Sequence, residues 1–196
     1  MKKNIALLLF VILCAAFAVA QDAPKAEVFG GYQFFSLDTK NFLDIGRQTF
    51  QGWDADVAVN LNKNFGVVGD ISGAYKSESA SSGGVSGEAK LKLHNFLFGP
   101  RFSYRTEKVT PFFEALFGAG HASASGSITG GTDPLSASGS LNGFAMAFGG
   151  GLDINAGKHI AIRPAKFDYI MNGFSDSGES VNLNNFRYAA GIVFKL

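Results

Sequence analysis

The sequence predicts an all-β fold, an eight-stranded antiparallel up-and-down barrel that crosses a membrane, and three observations carry that prediction. The first is composition: of 196 residues, 46% are hydrophobic and only 17% charged, with 25 Gly and 20 Phe. Ordinary soluble domains have about 25% charged residues and about 7% Gly. The second is an apolar period of two, the mark of strands with unlike faces, with no helical period beside it. The third is the strict alternation of short turns with long loops around an even number of strands. The same composition excludes other classes. A chain this aromatic is not disordered, and a formal charge of +1 offers no charge excess to nucleic acid.

The N-terminus comes first. Met1-Lys2-Lys3 is positive, residues 5–17 are apolar without interruption, and Ala18-Val19-Ala20 satisfies the small-x-small rule of signal peptidase. Residues 1–20 are therefore expected to be a cleaved signal peptide and residues 21–196 the barrel domain. Cys14, the single cysteine, leaves with the leader, so the mature chain is expected to use neither disulfides nor thiol chemistry. After residue 20 no stretch approaches the roughly 20 apolar residues of a spanning helix.

The strands follow in order. The first sets Val28, Gly30, Tyr32 and Phe34 against Glu27, Phe29, Gly31 and Gln33; the second sets Trp53, Ala55, Val57 and Val59 against Asp54, Asp56 and Ala58. Phe65, Val67 and Ile71 oppose Asp70 and Ser72 in the third, and Phe96, Phe98, Pro100 and Phe102 oppose Asn95, Gly99 and Arg101 in the fourth. In the fifth, Pro111, Phe113, Ala115 and Phe117 oppose Thr110, Glu114 and Gly118; in the sixth, Phe144, Met146 and Phe148 oppose Ala145, Ala147 and Gly149. The seventh runs from about His159 to Asn172, and the last sets Phe186, Tyr188, Ile192 and Phe194 against Arg187, Ala189 and Lys195. Turn residues fill the short connections at 60–64, 105–108 and 155–158. Long loops are expected at 37–48, 77–88, 123–139 and 173–184, all rich in Ser, Gly, Asn and Asp.

The two faces decide between a membrane and a soluble barrel. A Phe-rich face is costly in water and comfortable in lipid, whereas small and charged residues suit the narrow lumen of eight strands. Closure also pairs every backbone group, which hydrocarbon demands. Gly31, Gly69, Gly99, Gly118, Gly149 and Gly151 are expected in the lumen, where they give a tightly curved sheet room. Arg163 and Asp168 would face opposite ways in a regular strand, placing one charge in lipid at about 2–4 kcal/mol near the midplane. Pro164 predicts the remedy, a bulge that turns both inward.

With the leader and strands come local motifs: Val28-Phe29-Gly30-Gly31-Tyr32, Asn95-Phe96-Leu97-Phe98-Gly99-Pro100-Arg101, Phe148-Gly149-Gly150-Gly151-Leu152-Asp153 and Arg187-Tyr188-Ala189-Ala190-Gly191-Ile192-Val193-Phe194. Across the whole mature chain this resembles the small bacterial outer-membrane β-barrels of the OmpA-like and OmpX-like superfamily. The resemblance implies an integral protein of the Gram-negative outer membrane, with outer-membrane lipids and, during biogenesis, the barrel-assembly machinery as partners. Adhesion or immune-evasion roles, known in that superfamily, set the functional expectation.

Glu27, Asp54, Asp56, Asp70, Glu114, Asp153 and Asp168 supply lumen carboxylates, and Arg101, Arg163 and Arg187 supply guanidinium groups that can fork across two of them. These ten are expected to form a structural charge network that largely plugs the lumen; a porin-like ion pathway is the alternative. His121 and Ser123 share the lipid-facing side of one strand, the placement of a base and nucleophile for an acyl chain, but an orienting acid is missing. Glu114 has the wrong parity and Asp133 lies in a Gly/Ser loop. His94 and His159 are isolated, so no metal site is expected, and with no helix after the Gly-rich stretches no phosphate loop or cofactor site is expected either. The expectation is a monomer without catalysis, in a structural or surface-interaction role.

Overall fold

In the computed structural model, described here for residues 23–38, 47–130, 135–176 and 179–196, every regular element is a strand. They are β1 (Ala26–Asp38), β2 (Arg47–Asn60), β3 (Phe65–Ser82), β4 (Val85–Ser103), β5 (Val109–Thr129), β6 (Leu135–Asn155), β7 (Ile160–Asp176) and β8 (Glu179–Lys195). Each pairs antiparallel with its neighbour, and β1 pairs with β8 from Glu27↔Lys195 to Leu37↔Asn185, closing the barrel. The expected signal peptide lies outside the described residues.

The near-end turns are tight because local hydrogen bonds replace the ladder. Asn62 Oδ1 accepts from the amides of Asn64 and Phe65 at 2.9 and 2.8 Å, and the Thr106 amide donates to the Val109 carbonyl at 3.0 Å. The far end corrects the expected loops. Positions 77–88 continue β3 and β4 up to a two-residue reversal at Gly83-Gly84, whose φ values of 58° and 83° need the left-handed region that glycine tolerates. Positions 123–139 and 173–184 are likewise mostly strand. The reason is alternation: Ser with Ala or Gly at period two keeps the ladder intact in water, and a Ser/Gly-rich composition masks it. For 37–48, strand persists to Asp38 and resumes at Arg47, and the rest lies outside the described residues.

Among the described residues, four strands rise beyond the others. β3–β4, β4–β5 and β5–β6 pair to their tips, but β2–β3 pairing ends at Gln51↔Tyr75 and β6–β7 pairing at Gly143↔Phe174. The result is a wall standing on one side of the barrel mouth. Its pattern inverts that of the barrel below, with Leu91, Ala124, Ala137 and Leu141 on the inner face and Ser79, Ser125, Ser138 and Ser140 on the outer.

Below that wall, the outer surface is the apolar one. Trp53, Phe65, Phe96, Phe113, Phe117, Phe144, Phe186 and Phe194 are exposed, and Phe98 reaches 66%. No helix among the described residues is long and apolar enough to span a membrane; the strands carry the apolar band. Of the glycines expected inside, Gly69 is the exception, since alternation places it outward beside Val67 and Ile71, with open space where a side chain would sit.

The bulge is present. β7–β8 register shifts between Arg163 and Lys166, and Arg163 and Asp168 are both buried. A bulge leaves a backbone carbonyl without a ladder partner, which hydrocarbon penalises. Here the Tyr188 hydroxyl donates to the Pro164 carbonyl at 2.7 Å. Replacing that hydroxyl in Tyr188→Phe is expected to cost about 1–3 kcal/mol, read as a lower urea midpoint for unfolding from phospholipid vesicles; an unchanged midpoint would remove Tyr188 from the bulge's support.

Candidate functional site

The inward positions sort by height along the strands. At the end holding the short turns, Glu27 on β1 accepts from both terminal nitrogens of Arg105 at 2.9 and 2.8 Å, and from Asn60 at 3.2 Å. This separates Glu27 from the central cluster in which the sequence placed it. Arg105 continues the inward parity of Arg101 and Ser103 past the end of β4, so it reaches Glu27 across the barrel floor; assignment to a turn hid it.

The middle of the lumen holds the other nine expected residues and one more. Arg187 donates from Nε to Asp168 at 2.7 Å, from Nη1 to Asp54 at 3.1 Å and Asp70 at 2.9 Å, and from Nη2 to Asp70 at 2.9 Å. Arg163 forks onto Asp153 at 2.7 and 3.1 Å and reaches Asp56 at 2.7 Å. Arg101 binds Glu114 at 2.8 Å and Asp56 at 3.0 Å. The tenth member is Lys166, whose ammonium lies 2.7 Å from Asp70, 3.2 Å from Glu114 and 3.3 Å from both Asp54 and Asp56. Sequence parity missed Lys166, although the bulge that turns Asp168 inward also turns the residue two before it. Six carboxylates thus meet four cations, and each cation is shared among carboxylates from different strands.

Aromatic faces close the cluster's lower side. The Arg163 guanidinium sits 4.3 Å from the Phe29 ring centroid and 4.4 Å from that of Phe112, which also carries Arg101 at 4.5 Å. Such contacts are strongest when the cation is desolvated. Gly149 and Gly151 give the space: a side chain at Gly149 would collide with the Asp168 carboxylate, and one at Gly151 with the Phe112 ring.

Above the charges the lumen changes character. Leu97, Leu116 and Ile170 come next, then an amide chain in which Asn185 donates to Asn172 at 2.9 Å and Asn172 to Asn95 at 2.8 Å. Phe35, Phe50, Leu93 and Phe174 cover it. This apolar upper lumen departs from the sequence expectation of a lumen filled by small and charged residues, because inward Phe and Leu continue the parity of the charged positions above the level of the network.

His121 and Ser123 do face outward on β5, as expected. The partner of His121 Nδ1 is Asn142 Oδ1 at 2.7 Å, and Ser123 stands opposite Lys92 and Ser140. The structure therefore gives His121 an amide rather than a nucleophile, and Asp133 lies outside the described residues. His159 contacts the Lys195 carbonyl at the opposite end. Among the described residues no three His, Cys, Asp or Glu side chains are grouped to hold a metal.

Comparison with known proteins bears on this architecture. The attachment invasion locus protein Ail of Yersinia pestis, solved in complex with the heparin analogue sucrose octasulfate, superposes with a TM-score of 0.61 at 20% identity, over 88% of this chain and 99% of that one. Neisserial surface protein A gives a TM-score of 0.57 at 11% identity, over 90% of this chain and all of that one (100%). Both similarities are of fold. No curated protein matches the sequence. The family model described as the outer membrane protein beta-barrel domain matches residues 5–194. With its closed eight-stranded barrel, apolar outer band and charged lumen, the chain belongs to that family, as an integral protein of the Gram-negative outer membrane.

Proposed function

We propose that this protein is a non-catalytic surface-interaction barrel whose lumen is closed to ions. The observation that carries the reading is the state of Lys166 and Arg187: both are fully buried, and they contact four and three carboxylates respectively. An eight-stranded barrel has interior width only for side chains, and here those side chains bind one another rather than lining a water path. The upper apolar layer adds a second barrier, since Phe35, Phe50, Leu93 and Phe174 offer an ion no ligands.

The wall formed by β3–β6 supports the surface role. It projects a polar, Ser-rich outer face and an apolar inner face beyond the lipid band, where an external partner can reach it. Ail, named for attachment and invasion and solved with a heparin analogue, shares the fold. The wall of this chain is not basic: Glu78 pairs with Lys76 at 3.2 Å and Glu88 with Lys90 at 2.9 Å. A sulfated glycan is thus not selected by charge here. The barrel acts as a monomer surrounded by outer-membrane lipids and is inserted by the barrel-assembly machinery.

Catalysis is absent in this reading because His121 is held by Asn142 and the buried carboxylates have no route to substrate. Two measurements test it. In planar bilayers the purified protein is expected to give no stable conductance steps, and a steady nanosiemens-scale current lost on Arg101→Gln would establish the porin-like alternative. In a strain expressing the protein, the mass of lipid A is expected to be the same for wild type and His121→Ala; a difference in acyl content would reinstate a hydrolase.

A further inference from the structure

The outward side of the barrel carries a polar belt just above the aromatic band. The Trp53 indole N–H donates to the Tyr75 hydroxyl at 3.1 Å, and that hydroxyl lies 3.0 Å from His94 Nε2, with the two rings edge-on at 5.5 Å. His94 and His121 stand directly opposite each other in the β4–β5 ladder, and one outward step higher Lys92 stands opposite Ser123. Below them the outward residues are Phe96, Phe98, Phe117 and Phe144, all exposed; above them are Lys92, Lys90 and Glu88 on β4 and serines on β3, β5 and β6. That change fixes the headgroup level, where aromatic belts sit at a membrane surface.

The charges at this level are of one sign. Opposite and next above His94 and His121 are Gly73 and Tyr75 from β3, Lys92 from β4, Ser123 from β5, and Asn142 and Ser140 from β6, with Lys90 opposite Ser77 one step higher still. The outward carboxylate on these strands is Glu88, engaged by Lys90 at 2.9 Å; Glu78 points to the inner face with Lys76. An ammonium and two imidazoles therefore converge on one patch of lipid boundary. Like charges directly opposite in a ladder repel, and an anion between two protonated imidazoles relieves that repulsion.

We propose that Lys92, His94 and His121 form a binding site for the anionic phosphate headgroup of an outer-leaflet lipid, engaged fully when the two imidazoles are protonated. The lipid rather than a free phosphate is the ligand because the patch is continuous with the hydrocarbon-facing aromatic surface, which takes the acyl chains. The hydrogen bonds supply the switch. With Nδ1–H of His121 donating to Asn142, the neutral ring turns the Nε2 lone pair toward a phosphate oxygen; protonation makes that nitrogen a donor. Protonated His94 donates Nε2–H to the Tyr75 oxygen, which also accepts from Trp53, and the Tyr75 O–H is then released toward the headgroup. Anion and protons bind together, each favouring the other.

Trp53 is the only tryptophan in the chain and joins the site through Tyr75, so its fluorescence reports the lipid there. The refolded full chain is placed in phosphatidylcholine vesicles containing either brominated phosphatidylglycerol or brominated phosphatidylcholine, and quenching is compared at about pH 8 and about pH 5, the lower value chosen because burial, His121 and Lys92 hold the His94 imidazole below its ordinary value. A charge near the membrane surface contributes about 1 kcal/mol, so the preference for phosphatidylglycerol is expected to be about fivefold or more greater at the lower pH. Lys92→Gln and the double variant His94→Gln with His121→Gln are expected to lose that gain while keeping heat-modifiable migration on gels. His159→Gln, at the far end of the barrel, is expected to retain it. A preference that does not change with pH, or that survives in the double histidine variant, would overturn the site. Loss of the preference on adding inorganic phosphate at constant ionic strength would overturn the choice of a lipid.

Discussion

Four cations sit inside a barrel too narrow to hydrate them, and the rest of the molecule is arranged around that fact. Arg101, Arg163, Lys166 and Arg187 come from β4, β7 and β8, while their carboxylates come from β2, β3, β5, β6 and β7. Each cation therefore joins strands far apart in the chain. Isolated buried ion pairs are poor stabilisers, since desolvation offsets the attraction, but removing one partner leaves a charge stranded. A shared network raises those stakes, because one cation deleted strands several carboxylates at once. It also selects register. Sliding any strand by one residue would send its charge into lipid and bring Phe or Val inside.

The bilayer imposes the complementary constraint from outside. Every backbone group within hydrocarbon needs a partner, so the sheet closes through β1 and β8 and leaves no edge. Among the described residues, charge inside and closure outside conflict at β7. Regular pairing cannot turn Arg163, Lys166 and Asp168 all inward, the bulge at Pro164 makes it possible, and Tyr188 satisfies the carbonyl that the bulge releases. Above the membrane the lipid constraint lapses, and there the faces invert: serines turn out to water, and alanines and leucines line the inner side of the wall.

Much of the fold was legible because lipid and lumen sort residues at the strand period itself. Alternation in segments such as Phe96 to Phe102 named the strands and their faces, and Pro164 between mismatched charges named the bulge. What escaped has physical reasons. Serine and glycine are turn formers by propensity, but at 123–129 and 135–141 they alternate with alanine and leucine and stay in strand, so composition misled where ladder hydrogen bonding decided. Lys166 was hidden because its inward direction depends on the bulge, and Arg105 because a residue beyond a strand end keeps the strand's direction. Glu27 was placed by parity on the correct face but at the wrong height, since parity says nothing about depth along the axis. The belt of Tyr75, His94, His121 and Asn142 joins four strands, and only the register brings those positions level.

The claim on which all of this rests is that shared buried cations hold the strands together, and Lys166 tests it most directly, because four carboxylates depend on it. Reversible urea unfolding of Lys166→Met from phospholipid vesicles should show a loss of about 3–5 kcal/mol relative to the parent chain, the scale of breaking a buried pair and leaving its partners unmatched. A loss below about 1 kcal/mol, the scale of an exposed ion pair, would contradict the account and mean that water reaches the lumen and screens its charges.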